Sequence, residues 1–271
     1  MQTGRWTLWH PGGAKEAEGR YSLGERHGEW RTWFEDGALR SIVTWSAGKR
    51  NGPSTEFHPQ GGRAAEGGYA DDQRHGAWTE WYPGGQKQQE GGYDRGARQG
   101  PWRFWHENGQ LQAQGGFLGG QRDGPWTEWH ANGHERREGS WRAGRMEGLW
   151  TDWFEDGAKL SEGAYADGLQ EGMWTSWYPS GAVDTEATFV AGELDGPARK
   201  WFENGQVLWQ GEYQRGKRSG KWVQHYAGGP KEWEGEFQDG QRTGRWSFWL
   251  PGGELDRERS GLYEADRKVA D

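Results

Sequence analysis

The residues best equipped for chemistry in this 271-residue chain are eight histidines and a large set of carboxylates, and both recur at fixed intervals. His10, His58, His106 and His130 are separated by multiples of 24 residues, and His27 and His75 lie 48 apart. Glu18, Glu66, Glu90, Glu138, Glu162, Glu186, Glu234 and Glu258 fall on the same 24-residue lattice. Histidine with carboxylate could ligate a metal, which needs three or four ligands converging on one point. Two carboxylates could share acid–base work, which needs a pair held in unlike environments. A lattice supplies neither, because equivalent residues on alternate strands stand about 9.6 Å apart in like surroundings. The glycines follow turn logic and form no phosphate-binding loop, and without cysteine there is no thiolate chemistry. These residues therefore point away from an enzyme, and no metal or cofactor is expected.

The lattice itself is the organisation of the chain. Taking Gly4 as position 1 of a 24-residue unit, glycine occupies position 1 in eleven consecutive copies and position 10 in the same eleven. Position 21 is glycine in nine of ten copies and position 16 in eight of ten. Tryptophan holds positions 3 and 6 in nine copies each, and position 18 is aromatic in all ten complete copies. Only 31% of residues are hydrophobic but 22 are Trp, so the core must be built from rings. The histidines of position 7 stand where other copies carry Phe, Tyr or Leu, and read as members of that ladder.

Each unit reads as a β-hairpin. Positions 2–7, as in Glu29-Trp30-Arg31-Thr32-Trp33-Phe34, are aromatic and β-branched. Positions 9–10 read Asn-Gly, Asp-Gly or Gly-Gly in most copies, which predicts a two-residue type I′ turn. Positions 11–18 return, and positions 19–24 make a longer connection to the next hairpin. That loop puts position 4 opposite 15 and position 3 opposite 16. The copies with Arg at position 4 (Arg31, Arg103, Arg199) are the three that lack Glu at position 15, carrying Ile42, Gln114 and Gln210. Strict alternation puts positions 3, 7 and 18 on one face and 6 on the other, unless a bulge turns the two tryptophans together. Arginines at position 23 (Arg26, Arg50, Arg74, Arg98, Arg122, Arg218, Arg242) are expected to balance neighbouring carboxylates.

The motif Gly-x-Trp-x-x-Trp, followed by a ring, Asn/Asp-Gly, Glu-Gly, a second ring and two further glycines, resembles the MORN-repeat variant of bacterial YwqK-type antitoxins. The likeness covers about residues 4–253 and recurs eleven times. It implies an all-β fold, an elongated single-sheet antiparallel β-meander of eleven 24-residue hairpins, and for some members the neutralisation of a toxin partner. Residues 1–253 then form the array and 254–271 a C-terminal cap or tail, in which the ladder ring slips to Tyr263.

A net charge of −8 disfavours nucleic acid and anionic membranes as partners. No apolar run is long enough to span a bilayer and no signal peptide is visible at the start, so the expected compartment is the cytoplasm, with an upstream segment left open. The expected function is non-catalytic binding and occlusion of a protein partner such as a basic toxin. The alternatives are an aromatic cell-envelope or glycan-binding module and a membrane-associated scaffold, and the oligomeric state is open. Copies that break the pattern are the candidate contact points: Trp209 and Trp233 add rings at position 14, and Ala198 and His225 replace ladder tryptophans. The acidic stripe represented by Glu138, Glu162 and Glu186 completes the candidate partner-binding set.

Overall fold

The computed structural model describes residues 2–271, which form strands and turns with no helix. Two compact units divide the chain, Met1–His134 and Glu135–Asp271. The first runs from strand Gly4–Trp9 to strand Gln121–Trp129, and the second from Glu135–Arg142 to Arg267–Ala270. Inside each unit, successive strands pair antiparallel, giving the expected all-β meander of hairpin repeats. A typical repeat joins an outgoing strand, Glu25–Trp33, to a return strand, Leu39–Ser46.

The two turns exchange the roles expected of them. At the hairpin tip, Gly37 N–H donates to Phe34 O and Phe34 N–H to Ala38 O, each at 2.9 Å. Gly37 has φ 88° and neither residue before it is left-handed. This is a three-residue loop, a type I turn closed by a left-handed glycine, in place of the two-residue type I′ turn. The glycine of position 10 has φ between 80° and 94° in all eleven copies. The sequence carries the reason at position 8, where Pro11, Pro59, Pro83, Pro179 and Pro251 suit the first corner of a type I turn. Asp or Asn at position 9 then serves as an acceptor: Asp36 Oδ1 takes the Ala38 N–H at 2.9 Å, and Asn108 Oδ1 the Gln110 N–H at 3.0 Å.

The tight turn is instead the connection between hairpins. Positions 20 and 21 are both left-handed, as at Ala47 (φ 48°) and Gly48 (φ 75°), which defines type I′. What looked like a six-residue link is two turn residues with strand on either side. Successive turns also stack: Gly96 N–H donates to Arg74 O and Gly120 N–H to Arg98 O, both at 2.9 Å.

The pairing register survives the change of turn. Arg31 faces Ile42 and Trp30 faces Val43, which is position 4 on 15 and 3 on 16. The longer loop would slide the ladder by one residue, but the register shifts between Thr32 and Trp33, leaving Arg40 of the return strand as a bulge that restores it. A second bulge lies between hairpins, where Gly115 pairs with Trp126 and Phe117 with Arg122. Three outgoing residues there oppose one, and the glycine of position 1, with φ between 65° and 118° in every copy, sits inside that bulge.

That inter-hairpin bulge builds the core. Each tryptophan of position 3 after Trp6 lies on the position-16 glycine of the preceding hairpin, so closely that a Cβ at Gly91 would overlap the Trp102 ring. The indole N–H then donates to the carbonyl of the next residue: Trp102 to Gly92 O at 3.1 Å, Trp78 to Gly68 O at 2.9 Å, Trp222 to Glu212 O at 3.0 Å. Trp126 differs, donating to Glu128 Oε1 at 3.1 Å. Eight of ten junctions hold this glycine and this ring; the other two hold Val43 with Ser54 and Ala187 with Ala198. Where the glycine is filled, the ring is gone. The sequence reading paired these columns within one hairpin, whereas the ring covers the glycine of its neighbour.

At the C-terminal end Gly261–Glu264 serves as the last return strand, with Tyr263 6.2 Å from Trp246. Ala265 (φ 47°) and Asp266 (φ 66°) repeat the tight turn before the final strand, Arg267–Ala270.

Two faces and a candidate interaction surface

Alternation along the strands separates two faces of different character. One carries positions 3, 5, 14, 18 and 23. Its tryptophans are closed off within a single layer: Trp30, Trp126 and Trp150 are 1% exposed. Where both neighbouring tryptophans are present a position-18 ring can stand edge-on between them, as Tyr93 does at 6.2 Å from Trp78 and 5.0 Å from Trp102; beside Ser54, Tyr69 keeps only Trp78, at 5.2 Å. The position-23 arginines lie over these rings, Arg74 at 4.2 Å from the Trp78 centroid and Arg98 at 4.5 Å from Trp102. They roof the aromatic core, and four of the seven also pair with carboxylates as expected: Arg50 with Asp72, Arg74 with Glu80, Arg122 with Glu128 and Arg242 with Asp266. Arg74 also donates to Glu80 at 2.6 Å and to the Tyr93 hydroxyl at 3.1 Å. Burial opposes its charge, but these bonds prevail and raise its pKa.

The other face carries positions 2, 4, 6, 12, 15 and 17, and it stays open. Its tryptophans of position 6 are partly exposed, and Trp9 is 60% exposed. Lysines of position 12 link this row to the acidic stripe. Lys87 bonds Glu90 at 2.7 Å and lies 5.6 Å from the Trp105 centroid; Lys159 bonds Glu162 at 2.8 Å and lies 5.2 Å from Trp177. The Lys159 bond, partly opposed by desolvation, holds Glu162 below the usual carboxylate range. The stripe is thus paired along much of its length and is no bare acidic column.

The arginines of position 4 belong to the same arrangement. Arg31 faces Glu18, Arg103 faces Glu90 and Arg199 faces Glu186, in each case the glutamate of the preceding repeat. Each such arginine already has an acidic neighbour across the junction, so a neutral residue stands on its other side.

The position-7 side chains tie repeats together. His58 Nε2 lies 2.9 Å from Trp81 O, His106 Nε2 lies 3.0 Å from Trp129 O, and Tyr82 and Tyr178 donate their hydroxyls to Trp105 O and Trp201 O at 2.9 and 2.8 Å. Histidine here does the work of tyrosine, a polar contact that phenylalanine lacks. Among the described residues no group of three His, Asp or Glu is placed to hold a metal.

The candidate partner-binding residues divide between the faces. Trp209 and Trp233 lie on the closed face, tilted against Trp222 at 5.4 Å and Trp246 at 5.3 Å as part of a core cluster. Ala198 is 4% exposed, and its missing ring has a packing cause in Ala187. His225, Glu138, Glu162 and Glu186 belong to the open face. Glu138 is exposed, and Glu186 lines a concavity of about 380 Å³ with Met173, Pro197 and Arg199. Desolvation, aided by Lys231, lowers the pKa of His225, whose Nδ1 has no hydrogen-bond partner among the described residues. The set therefore does not converge on one patch. The open tryptophan row at position 6 was visible in the sequence as a column, but its face was not.

Residues 26–47, 74–95 and 98–117 match the family model of the MORN repeat variant. No curated protein matches the chain. Among solved structures, one titled TcdB2-TccC3-Cdc42 is 10% identical with a TM-score of 0.20, covering 97% of this chain and 17% of that one. A Photorhabdus luminescens Tc holotoxin pore with a mutated TccC3 is 10% identical with a TM-score of 0.16, covering 91% of this chain and 14% of that one. The chain thus spans under a fifth of the length of these solved chains. No helix among the described residues is long and apolar enough to cross a membrane.

Proposed function

We propose that this chain is a non-catalytic repeat protein that binds a protein partner through its open face and acts by covering that partner's surface, in the cytoplasm. The observation that carries the reading is the contrast between faces: one set of tryptophans, from Trp30 to Trp246, is sealed at 1–8% exposure while the other remains partly exposed in a regular row. Rings with polar, already paired neighbours suit protein interfaces, where aromatic anchors supply most of the affinity and surrounding contacts exclude water. The likeness of the repeat to that of bacterial antitoxins supports the finer reading, in which the covered partner is a toxin.

The test uses the tagged chain and a Trp81→Ala/Trp105→Ala variant to capture partners from the native host. Capture of one stoichiometric protein by the parent, lost in the folded variant, is expected. Equal capture by both would sink the open-face reading. Expressing the captured protein alone and with the chain then tests the finer reading, since a partner harmless by itself excludes an antitoxin role.

A further inference from the structure

Within the second unit, the open face carries one row unlike any other. Positions 17 and 2 of successive strands pair as Pro197 with Glu212, Lys221 with Glu236, and Arg245 with Leu262. Read across strands Glu193–Trp201, Val207–Gln214, Lys217–His225, Lys231–Gln238, Gln241–Phe248 and Gly261–Glu264, the row is Pro197, Glu212, Lys221, Glu236, Arg245, Leu262. All six residues are exposed. None of the four charged ones is in an ion pair among the described residues, although nearby Lys231 holds Glu234 at 2.6 Å and Lys200 holds Asp184 at 3.0 Å. The row borders two adjoining concavities that share Gln210 and Lys221. In the first unit the same row is uncharged from Pro53 through Gly68, Ala77, Gly92 and Pro101 to Gly116.

The order apolar, minus, plus, minus, plus, apolar is complementary to itself when reversed. A two-fold axis lying in the face and parallel to the strands performs that reversal, because it inverts strand order and presents the same face to itself. It would bring Glu212 against Arg245 of a second copy, Lys221 against Glu236, and Pro197 against Leu262. The neighbouring row offers no like-charge clash, matching Gln210 with Ser247 and Val223 with Glu234. Six strands spaced about 4.8 Å, with about seven residues each at 3.3 Å, present roughly 650 Å² per copy. A total near 1,300 Å² falls within the range of specific interfaces. We infer that the open face of residues 193–264 is a self-association surface, pairing two copies of this chain in a face-to-face antiparallel dimer. This goes beyond the partner-binding reading and stands on different residues.

Sedimentation of the full chain in dilute salt is expected to show a dimer that dissociates as salt is raised, since exposed charge pairs are screened. Making the row all acidic with Lys221→Glu/Arg245→Glu should raise the dissociation constant more than about tenfold through like-charge contact. Glu212→Lys/Glu236→Lys should do the same, and mixing the two variants should restore a heterodimer. The milder Lys221→Gln/Arg245→Gln should weaken the dimer and remove most of its salt sensitivity. A monomeric parent chain, a dimer indifferent to these changes, or a mixture that fails to associate would each overturn the inference.

Discussion

Substituting Gly91→Ala tests how hairpins lock together. The new Cβ would overlap the Trp102 ring, which is 2% exposed and fixed by its indole bond to Gly92 O. Trp102 also touches Tyr93 at 5.0 Å and carries Arg98 at 4.5 Å, so the ring cannot lift without breaking several contacts. Overpacking costs about 1–3 kcal/mol and loss of the indole bond about 1 kcal/mol more, giving a cost of about 3 kcal/mol. Trp102→Ala alone should cost about 3–5 kcal/mol, as for other buried tryptophans. In the double variant the Cβ meets no ring, so its cost should not exceed that of Trp102→Ala, and the coupling should be about 3 kcal/mol. Urea unfolding followed by circular dichroism, with hydrogen exchange at residues 91–102, reads all four corners of the cycle. Additive effects, with the double variant about 6–8 kcal/mol less stable, would refute the lock. The chain already contains versions of the double variant, at Val43 with Ser54 and Ala187 with Ala198.

Three further outcomes follow from single sites. His106→Tyr should keep the contact to Trp129 O and leave stability unchanged, whereas His106→Phe should cost about 1 kcal/mol; equal urea midpoints for the two would remove the cross-repeat role of position 7. The Ser54 hydroxyl is 1% exposed with no hydrogen-bond partner among the described residues, so Ser54→Ala should stabilise by about 1 kcal/mol. A destabilised Ser54→Ala protein would contradict that. Asp72 accepts the Arg50 backbone N–H and guanidinium at 3.0 Å each, and these bonds, the backbone one foremost, lower its pKa. Its contribution is then present above the ordinary aspartate pKa and lost as pH falls through the lowered value. Asp72→Asn should flatten the acid limb of the stability curve below the ordinary aspartate pKa, and an unaltered limb would show that Asp72 contributes nothing there.

The period, the ring columns and the pairing of positions 4 and 15 were legible because they depend on spacing alone. The turns were misread because Asn-Gly and Asp-Gly suit two turn types, and only the prolines of position 8 separate them. Partners across a junction were harder to read. Every strand pairs on both sides, and a strict period makes its own hairpin and the neighbouring one look alike. The joint loss of glycine and tryptophan at Val43/Ser54 and Ala187/Ala198 was the signal that distinguishes them, visible only when columns of adjacent copies are compared. The carboxylate partners of the position-23 arginines were legible for Arg50, Arg74, Arg122 and Arg242, but the ring beneath each was not, because sequence shows charge and not what lies under it. At the candidate site, the columns of Trp209, Trp233 and His225 were legible but their faces were not, since two bulges per repeat decide which way a side chain points.

The glycine notch and the flat indole also bear on how the chain avoids mistakes while folding. Nearly identical hairpins strung in tandem can dock on the wrong neighbour, and a slip by one whole unit would keep the same pairing register at the new junction. Eight junctions are cut alike and would accept one another's tryptophan hairpin. Val43 and Ala187 would not, because their side chains fill the space that the ring needs, and Ser54 and Ala198 fit poorly where a notch stands empty. The second and eighth junctions therefore act as address marks: an assembly displaced by one unit must strike at least one of them, and the correct alignment is the one that satisfies both.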